Sequence, residues 1–231
     1  MRYSFSWNGA SCTSKGIRLQ SMPQIVRPEE RVNHVTIPGR SGDMTLTEGD
    51  DIYNSYIQTI PLIIDNKADV KAAELWLRGD GYVTFGCEPD RKQRARVINA
   101  VTFQKHSRNS DWWEAEVQFY CDPIKHQVTE TAIEITTSGT TVTNPGDLKA
   151  SPKIAITGSG LVTVAAGGRT LTIPACVDGW VIDCENEWIL QNNIPQIGAC
   201  SGSFPILNTG DNAVTFTGAT KLTITPNWRY L

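Results

Sequence analysis

Along most of this chain apolar and polar residues alternate with a period of two, the pattern of strands that bury one face. Tyr3-Ser4-Phe5-Ser6-Trp7 sets aromatic against polar positions, and Asn8-Gly9 closes the run with a hairpin-type turn. Ile17 to Leu19 predicts a second short strand. Met22-Pro23-Gln24-Ile25-Val26-Arg27-Pro28 carries two prolines, which disfavour both helix and central strand and predict an extended run along an edge. Met44 to Thr47 and Tyr56 to Ile64 complete a β-rich block. The departure comes at Lys67 to Arg78. Asn66 is placed as an N-cap with Asp69 three residues on, Ala68, Ala72, Leu75 and Trp76 predict the buried face, and Gly79 stands where a left-handed residue ends a helix. So short a helix needs a sheet to pack on, with Trp76 in the core. Tyr82 to Phe85, Val97 to Val101 and Trp112 to Tyr120 return to strand, and Cys121-Asp122-Pro123 predicts the end of a first domain.

From Gln127 onward the helical period disappears. Strands are predicted at Ala132 to Thr136, Thr140 to Val142, Lys153 to Thr157, Leu161 to Ala165, Thr170 to Pro174, Trp180 to Asp183, Trp188 to Leu190, Ser203 to Ile206, Ala213 to Phe216 and Lys221 to Thr225. Asn144-Pro145-Gly146, Gly158-Ser159-Gly160, Gly167-Gly168 and the stretch from Asn208 to Asn212 separate them as turns. Short strands with frequent turns predict an antiparallel β-sandwich or jelly roll. The expected fold class is therefore mainly β: an N-terminal sandwich or barrel-like domain with one short α-helix over residues 1–127, and a C-terminal sandwich over 128–231.

Composition narrows the function more than it names one. The 231 residues carry a formal charge of only -3, which gives no support to a global nucleic-acid-binding surface. No apolar run approaches membrane-spanning length, and Met1 to Trp7 lacks the apolar centre of a signal peptide, so folding in a cytosol without membrane insertion is expected. Six cysteines lie far apart and are expected as reduced, mostly buried residues, a Cys176–Cys184 disulfide being the best exception. Gly198-Ala199-Cys200-Ser201-Gly202 imitates a nucleophile elbow, but no amphipathic helix follows it, leaving a cysteine hydrolase as a third-ranked reading. His34, His106 and His126 lack ligand partners at metal spacing, and Asp178, Asp183, Glu185 and Glu187 lack a calcium-loop frame, so no cofactor or metal is expected. Trp180 and Trp188 are the candidates for an alternative, carbohydrate-binding function.

Two stretches remain. Val35-Thr36-Ile37-Pro38-Gly39-Arg40-Ser41-Gly42-Asp43 is a strand end running into a Pro-Gly corner from which Arg40 projects, and Arg91-Lys92-Gln93-Arg94-Ala95-Arg96 is the one basic run. Ile37, Pro38, Gly39, Arg40, Gly42, Arg91, Arg94 and Arg96 are the candidate assembly contacts.

In order along the chain, the first aromatic strand with Asn8-Gly9, the corner at 35–42, Leu75-Trp76-Leu77-Arg78-Gly79, Val83-Thr84-Phe85 and Phe119-Tyr120-Cys121-Asp122-Pro123 resemble the N-terminal domain of siphophage distal tail (Dit) proteins. Asn144-Pro145-Gly146, Ser151-Pro152-Lys153-Ile154, Val181-Ile182-Asp183-Cys184, the stretch from Leu207 to Asn212 and Ile224 to Tyr230 continue the resemblance to the end. The resemblance implies a galectin-like second domain and a structural, non-enzymatic virion protein. It implies a homohexameric ring at the tip of a long non-contractile tail, between the major tail tube protein and the tail-associated hub or lysin protein. Receptor-binding and tape-measure proteins would lie nearby, and DNA would cross the channel without specific binding. Such a protein is made in the host bacterial cytoplasm and ends in the virion.

Overall fold

The computed structural model describes residues 3–47, 49–196, 198 and 200–231. The chain is mainly β. It divides into two compact units, Met1–Val128 together with Leu231, and Thr129–Tyr230.

In the first unit, β1 (Phe5–Trp7) and β2 (Ala10–Ser11) form the expected hairpin, with Asn8 and Gly9 at φ 50° and 79°. A 3-10 turn at Cys12–Lys15 leads to β3 (Ile17–Leu19), and β4 (Val32–Val35) and β5 (Met44–Thr47) follow. Next come β6 (Tyr56–Ile64), α1 (Lys67–Trp76), β7 (Asp80–Phe85), β8 (Arg91–Val97), β9 (Gln104–Lys105) and β10 (Trp113–Gln127). One antiparallel sheet runs β2-β1-β7-β8-β10-β6-β3, with β9 also on β10, while β4 and β5 pair only with each other. Alternation buries Phe5, Trp7, Ile60, Leu62, Ile64, Val117 and Phe119 on one face. The Phe119 ring sits 5.5 Å from Phe5, 5.2 Å from Trp7 and 6.2 Å from Phe85.

Two expectations are corrected here. Asn66 does cap α1, its side chain accepting from the Ala68 amide, but the buried stripe is Val70, Ala73, Trp76 and Leu77 rather than Ala68, Ala72 and Leu75. Those positions follow the helical period, Trp76 stacks on Phe5 at 5.6 Å, and Leu75 points to solvent. The strand at Trp113 does not end at Cys121-Asp122-Pro123: it continues to Gln127, and a register shift between Cys121 and Lys125 absorbs the proline as a bulge.

The second unit comprises β11 (Ile133–Ile135), β12 (Thr140–Asn144), β13 (Lys153–Ala166), β14 (Arg169–Cys176), β15 (Trp180–Asp183), β16 (Trp188–Gln191), β17 (Ile194–Pro195), β18 (Ser201–Gly202) and β19 (Gly210–Thr225). Its organising pair is β13 with β19, each of which replaces two predicted strands. Gly158 and Gly160 read as turn residues in sequence, yet they sit at register shifts inside a continuous strand, and Gly218 lies opposite them within β19. A Cβ at Gly218 would run into the Leu161 carbonyl, and φ there is 74°, so glycine is required. The bends let each long strand serve two layers. The first half of β13 pairs with β15 and the second half with β14, while β19 pairs with β12 first and β11 later. Ile154, Ile156, Val162, Val164, Phe216, Leu222 and Ile224 fill the sandwich between the layers. Ser203 to Ile206, expected as a strand, is irregular: Ser203 N still donates to Thr170 O (2.9 Å), Pro205 interrupts the run, and the next pairing is the Ala150–Leu207 bridge.

Buried Asn144 ends β12. Its amide donates to the carbonyls of Leu148 (3.0 Å) and Leu207 (3.1 Å), and its Oδ1 accepts from Gly146 N (2.8 Å). Trp7 in one unit and Trp180 in the other bury indole N–H groups that have no hydrogen-bond partner among the described residues.

Candidate functional site

The stretch at 32–47 folds as a hairpin whose strands form a separate two-stranded sheet among the described residues. Glu30 bridges to Tyr53, Arg31 N donates to Ile52 O (2.9 Å) and Asn54 N to Glu29 O (2.8 Å), forming a short stalk. Beyond the stalk β4 pairs with β5, and Val35 faces Met44 while Asn33 faces Leu46. Val35, Met44 and Leu46 thus share one apolar face, and they are 44, 43 and 44% exposed. At the tip Arg40 N donates to Ile37 O (3.1 Å) with Gly39 at φ 83°, the type II turn that Pro38-Gly39 demands. Thr36 Oγ1 donates to Asp43 Oδ1 (2.8 Å) and ties the loop ends, with Gly42 at φ 82°. Ile37 is half-buried; Pro38, Gly39, Arg40 and Gly42 are exposed.

The basic run forms β8, between β7 and β10, so alternation decides which side chains leave the core. Gln93 and Ala95 turn inward, and Arg94 and Arg96 outward. Arg91 pairs with Asp90 (2.8 Å) and Arg96 approaches Asp80 (3.8 Å), but Arg40 and Arg94 make no ion pair among the described residues. The ladder registers align Asp80, Arg96, Tyr120 and Ile57 in a row across four strands, and Tyr82 faces Arg94. Tyr82, Tyr120 and Ile57 are about half exposed. The candidate residues therefore form two separate patches, the hairpin and the outer sheet face. The aromatic residues of the second patch were missed, although their outward alternation beside buried Val83, Phe119 and Cys121 was a readable signal.

Elsewhere the sequence's chemical candidates have the following surroundings. All six cysteines are free, Cys176 and Cys184 included. Ala199 of the elbow-like stretch lies outside the described residues; Cys200 precedes a short strand, and burial pushes its thiol up, the opposite of an activated nucleophile. Asp183 accepts from the Glu185 and Asn186 amides within its own turn, and Asp178 accepts from Gly158 N. Among the described residues no three His, Cys, Asp or Glu side chains gather as a metal site. No described helix is long and apolar enough to cross a membrane. Trp180 is core, whereas Trp188 is 60% exposed beside a groove of about 440 Å3 lined by Asn186, Glu187, Ile189 and Pro195.

No protein-family profile matches the chain, and no curated protein matches it. A solved structure does: the Dit (gp 19.1) protein of SPP1, described as a paradigm of the hub adsorption apparatus in phages infecting Gram-positive hosts. The two superpose with a TM-score of 0.78 at 18% identity, over 99% of each chain. At that identity the likeness is one of fold.

Proposed function

We propose that this chain is a structural subunit of the tail tip of a long-tailed, non-contractile phage, a distal tail protein without enzymatic activity. It assembles in the host bacterial cytoplasm as a homohexameric ring that joins the tail tube protein to the hub or lysin protein, close to receptor-binding and tape-measure proteins. DNA crosses its channel without specific binding, in keeping with a formal charge of -3. The likeness over the full length to the SPP1 hub protein supports the architecture. The observation that carries assembly is the β4–β5 hairpin. An isolated two-stranded hairpin is marginal in water, and this one turns Val35, Met44 and Leu46 to solvent, outside both hydrophobic cores formed by the described residues. A partner surface supplies what the fold omits. A cyclic ring requires two different patches per copy, and the hairpin and the β8 face are two such patches.

Immunogold labelling of virions tests the location, and native mass spectrometry tests for six copies of the 25.4 kDa chain. Labelled tail tips and a ring that Arg40→Glu or Arg94→Glu weakens, less so at high salt because salt screens the contact, are the expected results. Absence from tail tips refutes the adaptor reading.

A further inference from the structure

The second unit carries a large aromatic side chain that its core does not use. On β16 Ile189 points inward and is 1% exposed, so alternation turns Trp188 outward, where it is 60% exposed. Pro195 lies opposite Leu190, two residues along from Trp188, and shares that outer face. The β17 ladder reaches only Leu190 and Gln191, and the Gln196 amide donates to Ile189 O (2.8 Å). No strand therefore covers the edge of β16 beside Trp188 among the described residues. The groove of about 440 Å3 lies there, and its volume is that of a cleft for a small molecule.

The polar groups around the indole are held in place and left spare. Asp183 spends its carboxylate on the turn between β15 and β16, accepting from the amides of Glu185 (3.2 Å) and Asn186 (3.0 Å) and from Asn186 Nδ2 (3.1 Å). Those bonds fix the loop and leave Asn186 Oδ1 as a free acceptor among the described residues. Glu187 follows at φ 54°, and its carboxylate makes no hydrogen bond or ion pair among the described residues. The Trp188 N–H has no partner among them either. The walls of the groove thus supply one flat π face, two acceptors of which one is anionic, and one donor.

A purely apolar ligand would desolvate the Glu187 carboxylate without pairing it, and an anion would be repelled by it. A sugar ring meets both demands. The axial C–H bonds of a pyranose form an apolar, faintly positive face that lies flat on an indole, while the hydroxyls at the ring edge donate to acceptors beside it. We propose that this groove binds a pyranose sugar stacked on Trp188, with Glu187 and Asn186 accepting from substituents at the ring edge. An amino sugar gains most, because its ammonium gives Glu187 a charge-assisted bond; an acidic sugar is turned away. The site belongs to the single chain and does not rest on assembly at a tail tip, so its failure would leave that function standing.

Saturation-transfer difference NMR on the full chain, with methyl β-glucoside, methyl β-glucosaminide and methyl β-glucuronide as probes, tests this. Saturation should reach chiefly the axial C–H protons of one ring face in the glucoside and the glucosaminide, with dissociation constants of about 1–10 mM. Trp188→Ala should abolish the transfer and, since the side chain is exposed, melt as the parent does. Glu187→Gln should weaken the glucosaminide about tenfold and change the glucoside less than about twofold. Absence of transfer from the parent chain to every probe at about 100 mM overturns the proposal. So does transfer that survives in Trp188→Ala, or a glucuronide that binds as tightly as the glucosaminide.

Discussion

Replacing Asn144 with alanine probes the second unit at its most concentrated polar point. One buried side chain satisfies two carbonyls, Leu148 and Leu207, and one amide, Gly146. Alanine removes all three bonds. Gly146 is only half-buried, so water recovers part of that loss, but Leu148 and Leu207 are buried. At about 1 kcal/mol per lost bond, and more for a carbonyl left dry, the cost is about 3–4 kcal/mol. For a unit of this size that lowers the melting temperature by roughly 12–25 °C. Asn144→Asp keeps the acceptor for Gly146 and sets a carboxylate against two carbonyl oxygens. The folded state then holds the carboxyl proton more tightly than the unfolded chain does. Stability of this variant therefore falls as pH rises through the unfolded carboxyl value of about 4. Circular dichroism melts between acid and neutral pH measure both effects. An alanine variant melting within about 3 °C of the parent, or an aspartate variant indifferent to pH, would refute the account of Asn144 as the tie between these loops.

Lys125, nearly buried, donates to Glu88 Oε2 (2.8 Å) and to Leu231 O (3.3 Å). Glu88→Ala strands the ammonium and should cost about 3 kcal/mol in urea unfolding, whereas Lys125→Met should cost less; the reverse order would contradict a desolvated pair. Burial pushes the thiols of Cys121 and Cys184 up to about 12, so iodoacetamide at pH 8 should leave both unmodified in the native protein and label them on unfolding, as counted by mass spectrometry. Since the unfolded thiols ionise first, they should also erode stability as pH climbs above about 9.

What could be read from the sequence was local. Asn8-Gly9, Pro38-Gly39 and the Asn66 cap each act through their own backbone, and each appears as expected. Period two located most of the longer strands, but the run expected at Val97 to Val101 is irregular beyond Val97, and the strand lies instead in the basic run Arg91–Val97. It failed where a glycine or proline has two meanings: Gly158, Gly160 and Pro123 look like chain reversals, but neighbouring strands hold them as bulges. The helix face was misplaced because Ala72 and Ala73 are chemically equivalent and only the sheet beneath chooses between them. Of the candidate surface, the hairpin and Arg94 could be proposed from sequence. The groove beside Trp188 could not, because it depends on where β17 stops relative to β16, which is a property of strand register.

The two unpartnered indoles, Trp7 and Trp180, have an optical consequence. Each is enclosed in the apolar core of a different unit, with no acceptor for its N–H among the described residues. Such an indole emits at short wavelength and shifts to the red when water reaches it. Of the seven tryptophans these two, one in each unit, are the dry, unpartnered ones, and the emission lost in Trp7→Phe and in Trp180→Phe, taken as differences from the parent, reports the unfolding of one half and of the other without any added label.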